Sequence, residues 1–282
     1  MKLSSEDQDH FLQAALAACR AAGPVHRDRF RTDDLTVERK DDGSPVTPCD
    51  RETEAVIREV LARATPELGL LGEEHGEEGS TTDRWIIDPL DGTKNFISGL
   101  PYFAVLVALQ LGGEPALGVV HAPALDPRPQ GTGESFHCGR TWWAARGRGA
   151  FAGTGTTPEA PWRPIEVSRQ TDLRRAFVTH GGLRRLQDLG LWSRFSEMVA
   201  RVGRTRGFGD WWGHMLVAEG RCDAMIEGAV ALHDIAAVKV IVEEAGGTFT
   251  ARHDAPLTTD FNAAVMTTNA HLAPELREMM DF

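Results

Sequence analysis

The sequence predicts an α+β chain, and three observations carry that expectation. Apolar residues recur at helical spacing in some segments and in strand-length runs in others, so both element types are present. Between residues 69 and 152 the apolar runs are strand-like, and one pair turns at Gly112-Gly113-Glu114. Beyond residue 164 strand and helix patterns alternate. Two Pro/Gly-rich stretches, 122–138 and 153–163, interrupt the pattern. The second divides an N-terminal half, 1–163, from a C-terminal half, 164–282. At 282 residues the chain has room for one large domain or two closely packed halves.

The elements follow in order. Ser5-Glu6-Asp7-Gln8 reads as a capping box, opening a helix with Phe11, Leu12, Ala15, Leu16 and Cys19 on one face. Thr47 then caps a second helix with Pro48 at its first position, and Val56, Ile57, Val60 and Leu61 form its apolar stripe. Gly69–Gly72 is a short strand ending at Glu73-Glu74. Trp85–Asp88 is another, stopped by Pro89. Residues 103–111 and 116–121 pair as a hairpin. The segment 126–138 is expected to be a mobile excursion, dispensable for folding. Strands resume at 142–145 and 149–152 around Arg146-Gly147-Arg148. The C-terminal half has strands at 177–180, 223–227, 248–250 and 263–267. Its helices are expected at about 185–200, 211–219, 234–245 and 271–280. No internal repeat is present.

Composition narrows the function. A content of 41% hydrophobic residues is ordinary for a globular protein with a buried core. The net charge of −11 and the lack of any long basic stretch argue against nucleic-acid binding, which depends on Lys and Arg neutralising phosphates. The longest apolar run, Phe103–Leu109, is far too short to span a membrane. The polar N-terminus has no secretory core. Four well-separated cysteines read as reduced thiols of a cytoplasmic protein.

The chemistry is concentrated in carboxylates. Asp88 ends a buried strand, and Asp91 returns beside it across the turn in Asp88-Pro89-Leu90-Asp91-Gly92-Thr93. Two carboxylates this close repel unless a cation bridges them or one is protonated. Hard oxygen donors with no accompanying His or Cys suit Mg²⁺-like ions. Gly92-Thr93 opens a helix whose free N–H groups offer a phosphate seat. Turn-forming and helix-capping roles are the competing readings, for this pair and for Asp234 in the first turn of its helix. Glu73 and Glu74, likewise, could be part of an exposed acidic loop.

With these residues stated, the sequence resembles the inositol monophosphatase superfamily of Mg²⁺-dependent phosphatases. The resemblance rests on Asp42-Gly43-Ser44-Pro45-Val46-Thr47 with Asp50, Gly72-Glu73-Glu74, WIIDPLDGTKNF (85–96) and HDIAAVKVIVEEAGG (233–247). It implies a layered αβαβα sandwich, a homodimer, and two or three Mg²⁺ ions per active site. Glu73, Asp88, the Leu90 carbonyl, Asp91 and Asp234 would be the metal ligands. Asp50 and Thr93 would orient the attacking water, with Asp50 or Glu73 accepting its proton. Gly92 and Thr93 N–H groups would hold the phosphate of a small phosphorylated metabolite. His233 stands where the family has Trp, and reads as a packing substitute or as a ligand.

Specificity should come from residues 204–219, RTRGFGDWWGHMLVAE. Asp210, beside Trp211 and Trp212, stands where inositol phosphatases carry a small or hydroxyl residue. A carboxylate near aromatic faces suits a cationic ligand. This block resembles the histidinol-phosphate phosphatase branch, and Glu227 matches a family position on the leaving-group side. An N-cap role for Asp210, an inositol or other sugar phosphate substrate, and a phospho-ligand-binding regulator are the alternatives.

Overall fold

A computed structural model describes residues 4–32, 35–40, 43–125 and 139–282. The N-terminal part contains α1 (Ser5–Arg29), β1 (Glu38–Arg39), β2 (Pro45–Val46), α2 (Pro48–Ala64), β3 (Gly69–Gly72) and β4 (Gly76–Glu78). It continues through β5 (Arg84–Asp91), α3 (Thr93–Ile97), β6 (Ala104–Leu111), β7 (Glu114–Ala122), β8 (Arg140–Ala145), β9 (Gly149–Thr154) and β10 (Arg163–Ile165). Then come β11 (Phe177–His180), α4 (Leu183–Asp188), α5 (Trp192–Arg201), β12 (Arg204–Arg206) and α6 (Asp210–Ala218). The chain ends with β13 (Ala224–Ala231), α7 (Leu232–Glu244), β14 (Gly247–Ala251), β15 (Asn262–Asn269) and α8 (Ala273–Met280).

The strands form two main sheets and the small β1–β2 ribbon. The eight-stranded sheet has the order β10-β9-β8-β7-β6-β5-β3-β4, and the five-stranded sheet the order β12-β11-β13-β15-β14. Strand periodicity sorts the layers. Trp85 and Ile87 of β5 pack with Leu16, Ile57 and Leu61 of α1 and α2. Ile86, between them, faces Trp211, Ile235 and Val238 of α6 and α7. The far side of the second sheet, with Val178, Ile226 and Met266, is covered by Leu186, Phe195 and Leu276 of α4, α5 and α8. The order is therefore helix, sheet, helix, sheet, helix: the αβαβα sandwich that the resemblance implied.

Several local expectations are corrected. The first helix is capped by Ser4, whose side chain closes a capping box with Asp7. Pro89 does not end β5, because pairing with β6 resumes at Asp91 after a register irregularity. An extra residue at a bulge lets the strand pass a proline that could not donate to the ladder. The helix expected over 185–200 is two, separated at Gly190 with φ +72°. The short strand β12 carried too little apolar pattern to be seen in the sequence. Among the described residues Cys19, Cys49 and Cys222 are free and buried. No helix among them is long and apolar enough to cross a membrane. The excursion at 126–138 lies outside the described residues.

Candidate active site

The end of β5, Glu73 after β3, strand β13 and the first turns of α6 and α7 converge on one cavity of about 280 Å³, with Asp88 and, in the first turn of α2, Asp50 buried against its lining residues. Its carboxylates share a construction: one oxygen is held by a neighbouring donor. Leu90 N–H donates to Asp88 Oδ1 at 2.9 Å. Trp211 N–H donates to Asp91 Oδ2 at 3.0 Å. Ala231 N–H donates to Asp234 Oδ2 at 2.7 Å. Asp50 Oδ2 accepts from the Thr47 N–H at 2.8 Å and the Thr47 hydroxyl at 2.6 Å. Asp50 thus closes a capping box with Thr47, and Asp234 accepts the N–H of the residue that precedes its helix, while both belong to the site. The capping and the functional readings coexist, because a carboxylate has two oxygens.

Two clusters result. Ligand-type atoms of Glu73, Asp88 and His233 lie within 4.8 Å of one another, as do those of Asp88, Asp91 and Asp234. Asp88 belongs to both. Burial holds Asp88 and Asp91 well above the usual carboxylate range. Repulsion from Glu73, Asp91 and Asp234 adds to the effect at Asp88, and from Asp210, Asp234 and Glu227 at Asp91. Burial raises Asp234 too, against the opposing influence of His233. Mutually repelling, buried hard-oxygen donors fit a divalent cation, which would remove the repulsion. His233 borders this cluster, its Nε2 lying 3.5 Å from Asp234 Oδ1 and 3.9 Å from Glu73 Oε2.

The Thr93 hydroxyl lies 2.9 Å from the Leu90 carbonyl and 3.1 Å from Asp50 Oδ1. Gly92, at φ +90°, admits no side chain, because a Cβ would meet the Tyr102 carbonyl oxygen at 2.7 Å. The helix it opens is only the five residues of α3. Its macrodipole is correspondingly small, and any phosphate seat there depends on individual amides.

Asp210 corrects the capping alternative. It is the first residue of α6, Gly209 precedes it, and no side-chain cap bond is made. Its backbone is left-handed, at φ +55°. Its Oδ2 accepts from Asn95 Nδ2 at 3.1 Å, and burial with Glu227 nearby pushes it up to about 6. Its N–H donates to Glu227 Oε1 at 3.3 Å. Asp210 also borders a second hollow of about 380 Å³, rimmed by Tyr102, Phe208 and Trp212.

Two residues were missed from the sequence. Lys40, between β1 and β2, places its ammonium 2.7 Å from Glu73 Oε1 and 2.5 Å from Glu74 Oε1. Glu54 is fully buried and accepts from Glu74 N–H at 2.7 Å and His75 N–H at 3.1 Å, so it clamps the turn that carries Glu73. Its position four residues after Asp50, on the same helix face, was the available signal. A Cβ at Gly72 would fall 1.9 Å from Glu54 Oε1. Gly72→Ala is therefore expected to cost about 1–3 kcal/mol of stability in urea unfolding by overpacking. If Glu73 is a cation ligand, the displaced clamp should also weaken Mg²⁺ binding about ten-fold or more. An unchanged Mg²⁺ titration would show that Glu54 does not hold Glu73 in place.

Beneath the Asp88–Asp91 turn, His26 is buried among Phe30, Phe96 and Phe103, and its Nε2 lies 3.0 Å from the Pro89 carbonyl oxygen. Nε2 therefore carries the proton donated to that carbonyl. Burial lowers the ring to about 4, and that of His121 to about 3. Both are neutral in the folded chain at pH values where the unfolded chain is already protonated. Their contribution is present above about 6.5 and is lost as pH falls toward those values, by linkage. For His26 this is on the order of 3 kcal/mol. The urea midpoint of His26→Gln should accordingly fall less than that of wild type between pH 7 and pH 4.5. Parallel curves would remove His26 as an acid-sensitive element.

A sequence model of the inositol monophosphatase family matches residues 7–280. The histidinol-phosphatase of Mycobacterium tuberculosis is 42% identical over 241 residues, covering 85% of this chain and 86% of that protein. The histidinol-phosphatase of Streptomyces coelicolor is 39% identical over 269 residues, 94% of each chain. A solved structure of Thermotoga maritima IMPase superposes with a TM-score of 0.78 at 28% identity, covering 97% of this chain and 96% of that one.

Proposed function

Because this chain belongs to the inositol monophosphatase family, and is a phosphoric monoester hydrolase of it, we propose that it hydrolyses histidinol phosphate to histidinol with Mg²⁺. The observation that carries this reading is the second carboxylate pair, Asp210 with Glu227. It lines the same cavity as the metal-type clusters and belongs to neither. Glu227 matches a position the family shares, so Asp210 carries the distinction: a second carboxylate there suits an amine or imidazolium better than a neutral polyol. The hollow beyond Asp210, with Tyr102, Phe208 and Trp212, offers faces for a flat ring. The similarity to two histidinol-phosphatases supports the same substrate.

Glu73, Asp88, Asp91 and Asp234, with the Leu90 carbonyl, are the residues we assign to two or three Mg²⁺ ions. When bound, these ions supply charge neutralisation for the phosphoryl group and acidify water. Asp50 and Thr93 orient the attacking water: the Thr93 hydroxyl passes its proton to Asp50 Oδ1 as it takes one from the water. Burial raises Asp50 above its ordinary range, against the lowering influence of its Thr47 bonds, which brings a general base toward neutrality. Glu73 is the other acceptor in reach. Gly92 and Thr93 amides receive phosphate oxygens. By the family resemblance the enzyme works as a cytoplasmic homodimer.

The test is phosphate release from histidinol phosphate, inositol 1-phosphate and an aryl phosphate, each with and without Mg²⁺. The expected result is a kcat/KM for histidinol phosphate well above the other two. Preference for inositol 1-phosphate would overturn the substrate, and full activity in excess chelator would overturn the metal.

A further inference from the structure

Glu227 is seated from several sides. Its Oε1 takes the Asp210 N–H, and a Cβ on Gly181 would lie only 2.3 Å from that oxygen. The absence of a side chain at Gly181 therefore makes room for it. The other oxygen, Oε2, lies 3.4 Å from Nε2 of His214 on α6. His214 is 1% exposed, and its Nε2 is buried without a full hydrogen bond. Both residues line the cavity. On its far side the ring meets β15, where Nδ1 lies 2.8 Å from the hydroxyl of the fully buried Thr267.

That hydroxyl can give its hydrogen to Nδ1 or accept one from it. If a neutral ring donated from Nδ1, the Nε2 lone pair would point at a carboxylate oxygen, which is repulsive. With the Thr267 hydroxyl donating to Nδ1, the ring proton sits on Nε2 and faces Glu227, an arrangement in which every group finds a complement. The second sheet thus fixes a histidine, and the histidine fixes a carboxylate.

We infer that His214, set by Thr267, is a positioning residue that holds Glu227 toward the substrate's cationic end and thereby sets the preference for an amine-bearing phosphate ester. The inference rests on the reading that Glu227 faces that end of the substrate. It goes beyond that reading by naming what aims the carboxylate. An imidazole here is not needed for hydrolysis itself, so its effect belongs in KM and in the ratio between substrates.

The experiment measures kcat and KM for histidinol phosphate and for an aryl phosphate in five variants. His214→Leu removes the Nε2–H, and the ratio of the two kcat/KM values should fall about ten-fold, chiefly through KM for histidinol phosphate. Thr267→Val, nearly isosteric and one shell away from the cavity, should move the ratio the same way by about three-fold or more. It carries the test if His214→Leu does not fold. His214→Gln offers an amide donor near Nε2 and should restore most of the ratio. Glu227→Gln separates the two ideas. If it leaves the ratio unchanged, the underlying reading of Glu227 is wrong. If it lowers the ratio while His214→Leu and Thr267→Val keep wild-type values, the reading stands and the role of His214 is overturned. In the double variant His214→Leu/Glu227→Gln, a loss no larger than that of Glu227→Gln alone supports the relay. Fully additive losses would mean His214 acts without Glu227.

Discussion

Asp91→Asn should remain folded and lose turnover by about a thousandfold or more. The Trp211 N–H requires an acceptor, so the new amide turns its oxygen there and its NH₂ toward the cavity. A donor then stands where a metal ligand should be, and a full charge is gone from a centre whose electrostatics are worth several kcal/mol. Metal-free protein should respond in the opposite sense. One of several repelling buried carboxylates has been neutralised, so Tm without Mg²⁺ should rise, while the further increase on adding Mg²⁺ should shrink. Calorimetric scans with and without Mg²⁺, beside steady-state rates, provide both readouts. Near-normal turnover at modest Mg²⁺ would sink the assignment of Asp91.

Asp210→Asn is expected to damage one substrate and spare another. Asparagine tolerates the left-handed backbone at φ +55° about as well as aspartate, and its oxygen can still accept from Asn95. The fold should therefore be kept and only the charge lost. Truncating one member of a desolvated charge pair costs about 2–5 kcal/mol, or roughly 30-fold to several thousand-fold. That loss should appear in kcat/KM for histidinol phosphate and be small for an aryl phosphate. An equal loss for both would indicate general disruption of the α6 start. No loss for either would leave histidinol phosphate without its main physical support.

What was legible in the sequence was set by what local chemistry can report. Thr47-Pro48 and the strand Gly69–Gly72 were placed correctly, because caps, prolines and short apolar runs act over a few residues. The layered fold and the carboxylate motif were visible through the family resemblance, which spans the chain. Pro89 misled because a bulge depends on the neighbouring strand, not on the proline. Lys40 was invisible as a site residue for a similar reason, and Glu54 was signalled only by its spacing from Asp50. Each contacts Glu73 or its turn only after β1–β2 and α2 have packed onto β3. The role of His214 depends on Thr267, fifty-three positions later in the chain. No local pattern connects them.

The middle layer has a consequence for how the chain holds together. Helix α7 lies between the two sheets and carries Asp234 in its first turn, while Asp88 and Asp91 come from the first sheet. An ion shared by those three carboxylates would act as a reversible cross-link between distant parts of the chain. The site exists only where those carboxylates converge, so the ion would stabilise the folded arrangement by its binding free energy, by an amount that grows with cation concentration. Cation supply would then set more than the rate of hydrolysis. It would set whether the middle helix and the first sheet unravel together or separately. Amide exchange in the first turn of α7 should quicken on chelation, while the outer layer of α1 and α2 keeps its protection.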